Sequence, residues 1–488
     1  MNTVLAIAQE NDTLTIVKEL NAKEQYTKSI TLLQSYYPRH KNDQYAGWLY
    51  AQTLHYSDNY AESQRIYKYS IQQFPGNNDI KLDLINKLVE LGELSEAIIQ
   101  INLFLPDFTT DYKFVAHKTL AQVFYWKGDY DRSIAEIDRA LAICSNDKPA
   151  IDLKNEISMA RSNWINFDIS HFTDDQPLTK FNPTISSGFY VSSRLSLGLD
   201  VDHNMYTISD SSYSTTWIKA SAKFSFLEKN AGLKVEFGTI NYPSKEKSIT
   251  GMIELNKKLT KHLNVVFGAS YQPYLATTYS VKEKLMQTQY GAAFEWNNPN
   301  GFIGRASIDN KLFSDIDNSY YTASGWLVFP PLKIKKFDFR VGYGINYSDS
   351  KSSNFESMEN LSDILAVWDS TYEIAGNYNP FFTPNKQLIH TAVGLAEYSP
   401  NKKLTLTFDI SYGFSAKSNA PYLYLDNNSE GEIIIARDFA AQNYKPMDSN
   451  ISIYYKISDS FSLKGYYRYK KTYYYESKSL GIIARIVF

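Results

Sequence analysis

Eleven charged residues stand at alternate positions of segments whose other positions are mainly apolar, a spacing that suits a water-filled passage. They are Asp168, Asp200, Asp202, Arg305, Asp309, Asp338, Arg340, Asp409, Lys464, Arg468 and Arg485. Because successive side chains of a β-strand point to opposite faces, such a segment has one apolar and one polar face. We predict that the charges line a lumen. Two interpretations stay open: they guide a hydrated solute, or they pair with each other and fill a narrow, wet interior.

The segments that carry these charges are predicted β-strands of a membrane barrel. From Trp164 onward the apolar residues recur with a period of two. The alternation is unbroken in Leu195–Asp202, Phe337–Tyr347 and Leu404–Phe414. The longer runs match the roughly 9–11 residues with which a tilted strand crosses a bilayer. A soluble β-sandwich or propeller is the alternative, but it does not require continuous apolar stripes of this length.

The connections between these segments alternate between tight and long. The tight ones are 229–232, 260–262, 297–300, 330–335, 399–402 and 458–460, and the longer ones are 243–248, 273–286, 314–318, 348–386 and 415–446. Transmembrane barrels have short periplasmic turns and longer outer loops. We therefore predict about 16 antiparallel strands across residues 163–488, with both ends of the barrel on the periplasmic side.

The first third of the chain contains a helical repeat. Similar turns recur at Glu24, Asp58, Gly92 and Gly128, with spacings of 34, 34 and 36 residues. A small residue follows each turn five positions later, at Ser29, Ser63, Ala97 and Ser133. This pattern resembles the tetratricopeptide (TPR) repeat, in which small residues lie where two helices cross closely. We predict a TPR-like α-solenoid over residues 9–162. It either presents a concave face to a partner or polymer, or serves as a spacer.

The net charge, the cysteine count and the sequence motifs exclude several classes of function. The formal charge of -2 and pI near 6.4 argue against a nucleic-acid partner. The single cysteine, Cys144, excludes an internal disulfide and a cysteine metal cluster. No HExxH, GxSxG, phosphate-loop or dinucleotide motif is present, so we predict no enzyme and no cofactor. A Ser/His/Asp set at the barrel rim is the alternative.

Residues 1–8 resemble the remnant of a signal peptide, because Ala6-Ile7-Ala8 fits a small-x-small cleavage site.

The two longest connections carry aromatic residues. Trp368, Tyr372 and Tyr378 lie in 348–386, and Tyr422 and Tyr424 lie in 415–446. Aromatic rings on loops stack on sugar faces or fold inward as a constriction. The alternative is that they form an aromatic girdle at the membrane surface together with ordinary loop packing.

The chain ends in an apolar stripe. Its members Leu480, Ile482, Ala484, Ile486 and Phe488 occupy alternate positions up to the terminal aromatic. This ending resembles the C-terminal assembly signal of outer-membrane β-barrels. The resemblance implies insertion into the outer-membrane bilayer with the help of the barrel-assembly machinery.

The whole chain, an α + β two-domain arrangement of TPR-like solenoid and barrel, resembles the YaiO-type outer-membrane family. That family is related in architecture to the exopolysaccharide export barrels of cellulose and poly-N-acetylglucosamine systems. The run Tyr378-Asn379-Pro380 resembles the aromatic-x-Pro element of such barrels. The resemblance implies a conduit for exopolysaccharide, with a periplasmic TPR domain that engages polymer, periplasmic partners or inner-membrane synthase components. A diffusion pore for small solutes and a plugged barrel that binds or anchors at the surface remain alternatives.

Overall fold

The structure is a computed structural model that describes residues 13–175, 178–208, 211–369, 372–473 and 475–488. The chain separates into two compact units, Met1–Ala160 and Arg161–Phe488. The first unit is helical and the second is a β-barrel, so the predicted fold class is confirmed. The predicted signal-peptide remnant, residues 1–8, lies outside the described residues.

Helices follow one another through the described part of the first unit, and successive helices pack on each other. They are α1 (13–22), α2 (Tyr26–Tyr36), α3 (Gln44–Tyr56), α4 (Tyr60–Gln73), α5 (Asn78–Glu90), α6 (Leu94–Phe104), α7 (Thr110–Trp126), α8 (Tyr130–Ile143) and α9 (Lys148–Ala160). Asp43, Asn77 and Asp129 accept hydrogen bonds from backbone N–H groups in the first turns of α3, α5 and α8. These caps satisfy donors that have no partner within the helix. No described helix is both long and apolar enough to cross a membrane.

The small residues of the repeat lie where helices cross. Ser63 Oγ donates to the Ala51 carbonyl at 2.7 Å, and Ser133 Oγ donates to the Ala121 carbonyl at 2.7 Å. Both serines are buried. The same contact thus recurs in two repeats and joins the two helices of each. A larger side chain at either position would separate the helices, which explains why the sequence keeps these positions small.

All four repeat turns use the same backbone conformation, although two of them lack glycine. Gly92 and Gly128 have φ values of 73° and 74°, while Glu24 and Asp58 have φ values of 56° and 64°. An L-residue in this left-handed region costs roughly 1–2 kcal/mol. The packed repeat stabilises the turn enough to offset that cost. The degenerate first and second units therefore keep the repeat geometry.

The second unit contains an 18-stranded antiparallel sheet. Two of its members, Leu332–Ile334 and Ile433–Tyr444, pair outside the barrel wall, which leaves sixteen wall strands among the described residues. These are β1 (Trp164–Asp174), β2 (Leu178–Ser192), β3 (Leu195–Ile208), β4 (Ser211–Phe226), β5 (Ala231–Asn241), β6 (Lys247–Lys258), β7 (Leu263–Pro273), β8 (Met286–Asn297), β9 (Ile303–Phe313), β10 (Asn318–Val328), β11 (Phe337–Ser350), β12 (Gln387–Asn401), β13 (Leu404–Asn427), β14 (Met447–Lys456), β15 (Phe461–Lys471) and β16 (Glu476–Val487).

The barrel closes because the first strand pairs with the last. The β1–β16 register runs from Trp164 opposite Val487 to Asp174 opposite Ser477. Beyond it, the Phe488 N–H donates to the Asn163 carbonyl at 2.9 Å. We call the end at which β1 begins the proximal end, and the opposite end the distal end. Closure removes the unpaired edge that an open sheet would expose.

The connections differ between the two ends. Those at the proximal end are short, the longest being 329–336 between β10 and β11. The distal end carries 274–285, which includes the short helix α10 (Thr278–Lys282), and 351–386, which includes α11 (Leu361–Val367). The distal connections after β1, β3, β5, β9 and β15 are short as well, so the long ones lie between β7 and β14. The prediction that the connections after β5 and β9 belong to the longer set is therefore wrong, since they span only 242–246 and 314–317.

The outer face of the barrel is apolar and exposed. Phe237, Ile308 and Ile482 have exposed fractions of 67%, 63% and 60%. Tyrosines face outward near the distal end, including Tyr271 and Tyr290, while other outward aromatic rings lie near the proximal end. An apolar band between two aromatic girdles matches a lipid bilayer and its two interfaces. The second unit is therefore a membrane-spanning barrel of the outer-membrane type.

Introducing a charge on this outer face is expected to destabilise the barrel. Ile482→Arg places a guanidinium in the bilayer, with an expected cost of about 2–4 kcal/mol near the midplane. The neighbouring Ile483 lies on the opposite face of β16, so Ile483→Arg is a matched control with a much smaller effect. Urea titration of the protein in liposomes, followed by the heat-modifiable migration of the folded barrel, measures both. Equal losses for the two variants would contradict the assignment of faces.

Candidate functional site

The strand register places all eleven predicted charges on the face opposite the exposed apolar residues. In β1, for example, Phe167 and Ile169 are exposed on the outside, so Asp168 between them faces the lumen. The same parity holds for the ten others, which are Asp200, Asp202, Arg305, Asp309, Asp338, Arg340, Asp409, Lys464, Arg468 and Arg485. Their role in guiding a solute stays a prediction.

The lumenal charges make contacts mainly with adjacent strands. Lys219 Nζ lies 2.8 Å from Asp202 Oδ2, and Arg305 Nη1 lies 2.6 Å from Glu295 Oε1. Asn450 Nδ2 donates to Asp409 Oδ2 at 3.2 Å. In each case the partner is a residue that the sequence analysis did not single out. Part of the lumenal charge is therefore neutralised in local pairs.

The pairing of β1 with β16 closes the barrel, and we call this junction the seam. It brings the acidic strand β1 next to the basic strands β15 and β16. Asp168 lies opposite Ile483, which in turn lies opposite Lys464, and Arg485 lies opposite Asn166. Among the described residues, no ion pair within 4.0 Å joins these charges across the seam. The Arg485 guanidinium instead lies 4.7 Å from the centroid of the Trp164 ring. The acidic and basic groups are thus neighbours in the wall without direct contact.

The distal mouth is partly filled by a folded-in structure that we call the distal cap, residues 274–285 and 380–384. Thr277 Oγ1 donates to the Pro380 carbonyl at 2.9 Å and joins its two parts. Tyr206 on the lumenal face of β3 donates from its hydroxyl to the Leu275 carbonyl at 3.3 Å. Ser350 Oγ donates to the Pro384 carbonyl at 2.6 Å. Both parts of the cap are therefore anchored to strands of the wall.

Apolar packing holds the distal cap in place. The Phe381 ring stacks on the Phe313 ring with centroids 3.8 Å apart, and both are fully buried. Tyr274 approaches the same pair edge-on, at 5.8 Å from Phe381. Val281 of α10 is fully buried and packs with Leu178 and Tyr206. The wall residues in these clusters lie on the lumenal face, so the cap occupies lumenal space.

A cavity of about 1090 Å³ lies in the lumen beside the cap. One side of its wall is built by β10–β13, which contribute hydroxyl and amide groups as well as apolar side chains. The polar members are Ser324, Asn346, Ser348, Gln387, Thr391 and Ser411, and the apolar members include Ile389, Val393 and Leu395. Toward the distal end aromatic rings surround it, namely Tyr274, Tyr320, Tyr378, Phe382, Tyr444, Tyr473 and Tyr475.

The cavity is lined by charges that the sequence analysis missed. Lys180, Lys311, Lys470 and Lys471 line it, together with Asp174 and Asp448, whereas none of the eleven predicted charges belongs to its described lining. The alternation that places Arg468 on the lumenal face of β15 also places Lys470 there. Periodicity thus identifies the face of a residue, but not the residues that share a cavity.

The predicted loop aromatics of the 351–386 connection have different surroundings. Trp368 is 41% exposed, and its ring lies 6.1 Å from that of Tyr372. The Tyr372 hydroxyl donates to Glu359 Oε2 at 2.6 Å. Tyr378 lies in a short strand, Gly376–Tyr378, and lines the cavity. Of these three residues, only Tyr378 is placed to contact a molecule in the lumen.

The prediction that Tyr422 and Tyr424 lie on a loop is wrong. They lie on the distal part of β13, where they pair with Asp438 and Ala436 of the strand Ile433–Tyr444. The segment predicted as a long loop, 415–446, is therefore largely a β-hairpin that extends the barrel wall. The interpretation failed because Pro421 reads as a loop residue. In the structure it lies in a strand of the hairpin that projects beyond the barrel, where proline is tolerated.

In the helical unit, a polar cluster centres on Asp83 of α5. Its Oδ2 accepts from Trp48 Nε1 at 2.5 Å, from Gln52 Nε2 at 2.7 Å and from the Tyr67 hydroxyl at 2.6 Å. Burial and the Asp83 carboxylate raise the pKa of the Tyr67 hydroxyl, which keeps it protonated as a donor. One carboxylate oxygen thus joins α3, α4 and α5.

No protein-family model matches this sequence, and no curated protein matches it. Among solved structures, one described as a bacterial polysaccharide outer membrane secretin is similar over 67% of this chain and 99% of its own, with 9% identity and a TM-score of 0.48. CdiB from Acinetobacter baumannii covers 67% of this chain and 60% of its own, with 9% identity and a TM-score of 0.40. The pilus biogenesis factor PilW covers 31% of this chain and 69% of its own, with 16% identity and a TM-score of 0.26. All three TM-scores are below 0.5, so these similarities carry no conclusion about function.

Proposed function

We propose that this protein is an outer-membrane conduit for an exopolysaccharide, of the YaiO type, and that its TPR-like unit engages the polymer or a partner. The lumenal cavity carries the proposal, because it combines hydroxyl and amide groups on one wall with a set of aromatic rings. Sugars present hydroxyl groups at their edges and C–H faces that pack on aromatic rings. The proposal contains no catalytic step and no cofactor.

An even number of strands returns both ends of the barrel to the same side of the membrane. We assign that proximal side, and with it the TPR-like unit, to the periplasm. There the unit is available to periplasmic proteins or to components of an inner-membrane synthase. Leu480, Ile482 and Ile486 face outward, and Phe488 next to them is exposed as well. We assign this apolar stripe to recognition by the barrel-assembly machinery.

Planar-bilayer conductance of the purified full-length protein tests the conduit. We expect a small, steady conductance, because the distal cap restricts the lumen, and we expect the host's exopolysaccharide to block it. A conductance that this polymer leaves unchanged would favour a small-solute pore. No conductance in either the native protein or Phe381→Ala, a variant that removes the buried ring of the distal cap, would favour a plugged barrel that acts at the surface.

Deletion of the TPR-like unit tests the partner-binding part of the proposal. We expect polymer secretion to stop while the barrel still inserts and migrates as a heat-modifiable species. Secretion that survives the deletion would remove partner or polymer engagement from the proposal and leave the unit as a spacer.

A further inference from the structure

We infer that the lumenal cavity selects an anionic polysaccharide, and that Lys180, Lys311 and Lys470 provide the charge that attracts it. This inference rests on the proposed conduit and names its substrate class. The cavity lining contains four lysines, Lys471 included, against two aspartates, so its formal charge is positive. The whole chain, in contrast, has a formal charge of -2.

Two of the three lysines, Lys311 and Lys180, contact neutral tyrosine side chains. Lys311 Nζ donates to the Tyr320 hydroxyl at 2.9 Å, and Lys180 Nζ lies 5.5 Å from the centroid of the Tyr206 ring. Lys470 lies opposite Asp448 in the strand register. Within the described part of the chain, no carboxylate oxygen lies within 4.0 Å of the ammonium groups of these three lysines. Their charge is therefore available to a ligand.

The two aspartates of the lining offset only part of this charge. Asp174 Oδ1 accepts from the Leu178 N–H at 2.9 Å and is engaged in closing the β1–β2 turn. Four lysines against two aspartates still leave the lining a formal charge of +2, although Asp448 lies opposite Lys470. Low-dielectric walls strengthen the potential of such a group of charges and concentrate counter-ions of the opposite sign. A polymer with regularly spaced carboxylates, such as a polyuronate, fits this environment better than a neutral glucan.

Other lysines on the lumenal face lie outside the cavity, and at least one of them is paired with a carboxylate. Lys223 and Lys234 face the lumen on β4 and β5, but neither lines the cavity. Lys219, on β4, is paired with Asp202. The excess of lysine is thus a property of the cavity beside the distal cap. The hydroxyl and amide wall of the same cavity favours a saccharide over other polyanions.

Equilibrium binding tests the inference with the full-length protein in detergent. The probes are trigalacturonate and the uncharged maltotriose, which have the same number of sugar units. We expect trigalacturonate to bind at least about tenfold more tightly, and the difference to shrink as salt rises. Lys311→Met/Lys470→Met is expected to weaken trigalacturonate binding about tenfold and to leave maltotriose unchanged.

The matched control is Lys223→Met/Lys234→Met, which removes the same charge from the lumenal face outside the cavity. Equal losses in the two double variants, equal affinities for the two sugars, or no binding of either sugar would overturn the inference. A thymidine hexanucleotide that binds as tightly as trigalacturonate would overturn the saccharide assignment. These outcomes leave the conduit itself to be decided by polymer block of conductance, so the two failures are distinguishable. Heat-modifiable migration of each variant verifies that its barrel is folded.

Discussion

Phe381→Ala is expected to increase the single-channel conductance of the barrel severalfold. The Phe381 ring is fully buried in the distal cap and stacks on Phe313, with Tyr274 and Tyr320 around it. Its removal costs about 3–5 kcal/mol of local packing. The cap is anchored otherwise mainly by a few hydrogen bonds and the Val281 contact. Loss of the ring therefore releases residues 380–384 and widens the lumen at its distal end. Planar-bilayer recordings at matched salt measure the change.

Trp368→Ala is the matched control for this prediction. It removes an even larger aromatic side chain from the same connection, but Trp368 is 41% exposed and contacts Tyr372 outside the cap. Its conductance should equal that of the native protein. If both variants conduct alike, the distal cap does not limit conduction. The proposed conduit would then have its constriction elsewhere in the lumen.

The barrel could be predicted from the sequence because its two faces meet different solvents. Lipid requires apolar side chains on one face, and water accepts polar groups on the other, so each strand carries a period of two. Ile482 and Ile483 illustrate this, since their positions in the alternation assign one to lipid and the other to the lumen. The same reasoning predicts the approximate strand number and the closure.

The distal cap could not be predicted in the same way. Its parts meet through a hydrogen bond between Thr277 and Pro380, which are 103 residues apart. Residues 274–285 are too few to show a helical or strand period of their own. The cap forms because Val281, Leu285 and Phe381 pack against apolar side chains on the lumenal face of the wall. No local sequence pattern identifies these packing partners.

Glu24 and Asp58 show another limit of sequence reasoning. The turn of a TPR-like repeat favours glycine, and the absence of glycine suggests a degenerate unit. Both residues nevertheless adopt the left-handed backbone conformation of Gly92 and Gly128. Packing of the adjacent helices decides the conformation, because the local cost is small compared with the buried contacts on either side.

The helical unit offers a second prediction with a large effect. Asp83→Ala is expected to destabilise this unit by about 3 kcal/mol, because three donors lose one shared acceptor and the Tyr67 hydroxyl is left buried without it. For a unit of this size we expect its melting temperature to fall by about 10 °C. Circular dichroism at 222 nm follows the helical transition in the full-length protein. The barrel should remain heat-modifiable, since it forms a separate compact unit.

Asp79→Ala is the control on the same helix, α5. The Asp79 carboxylate accepts a single hydrogen bond, from the Tyr112 hydroxyl at 2.6 Å, and this contact is exposed. Its loss should cost less than about 1 kcal/mol, because water replaces the exposed partner. Similar shifts in the two variants would show that the Asp83 cluster does not hold α3, α4 and α5 together. A large shift confined to Asp83→Ala would identify this carboxylate as the central polar contact of the repeat, and its loss should also impair any function that depends on the unit's shape.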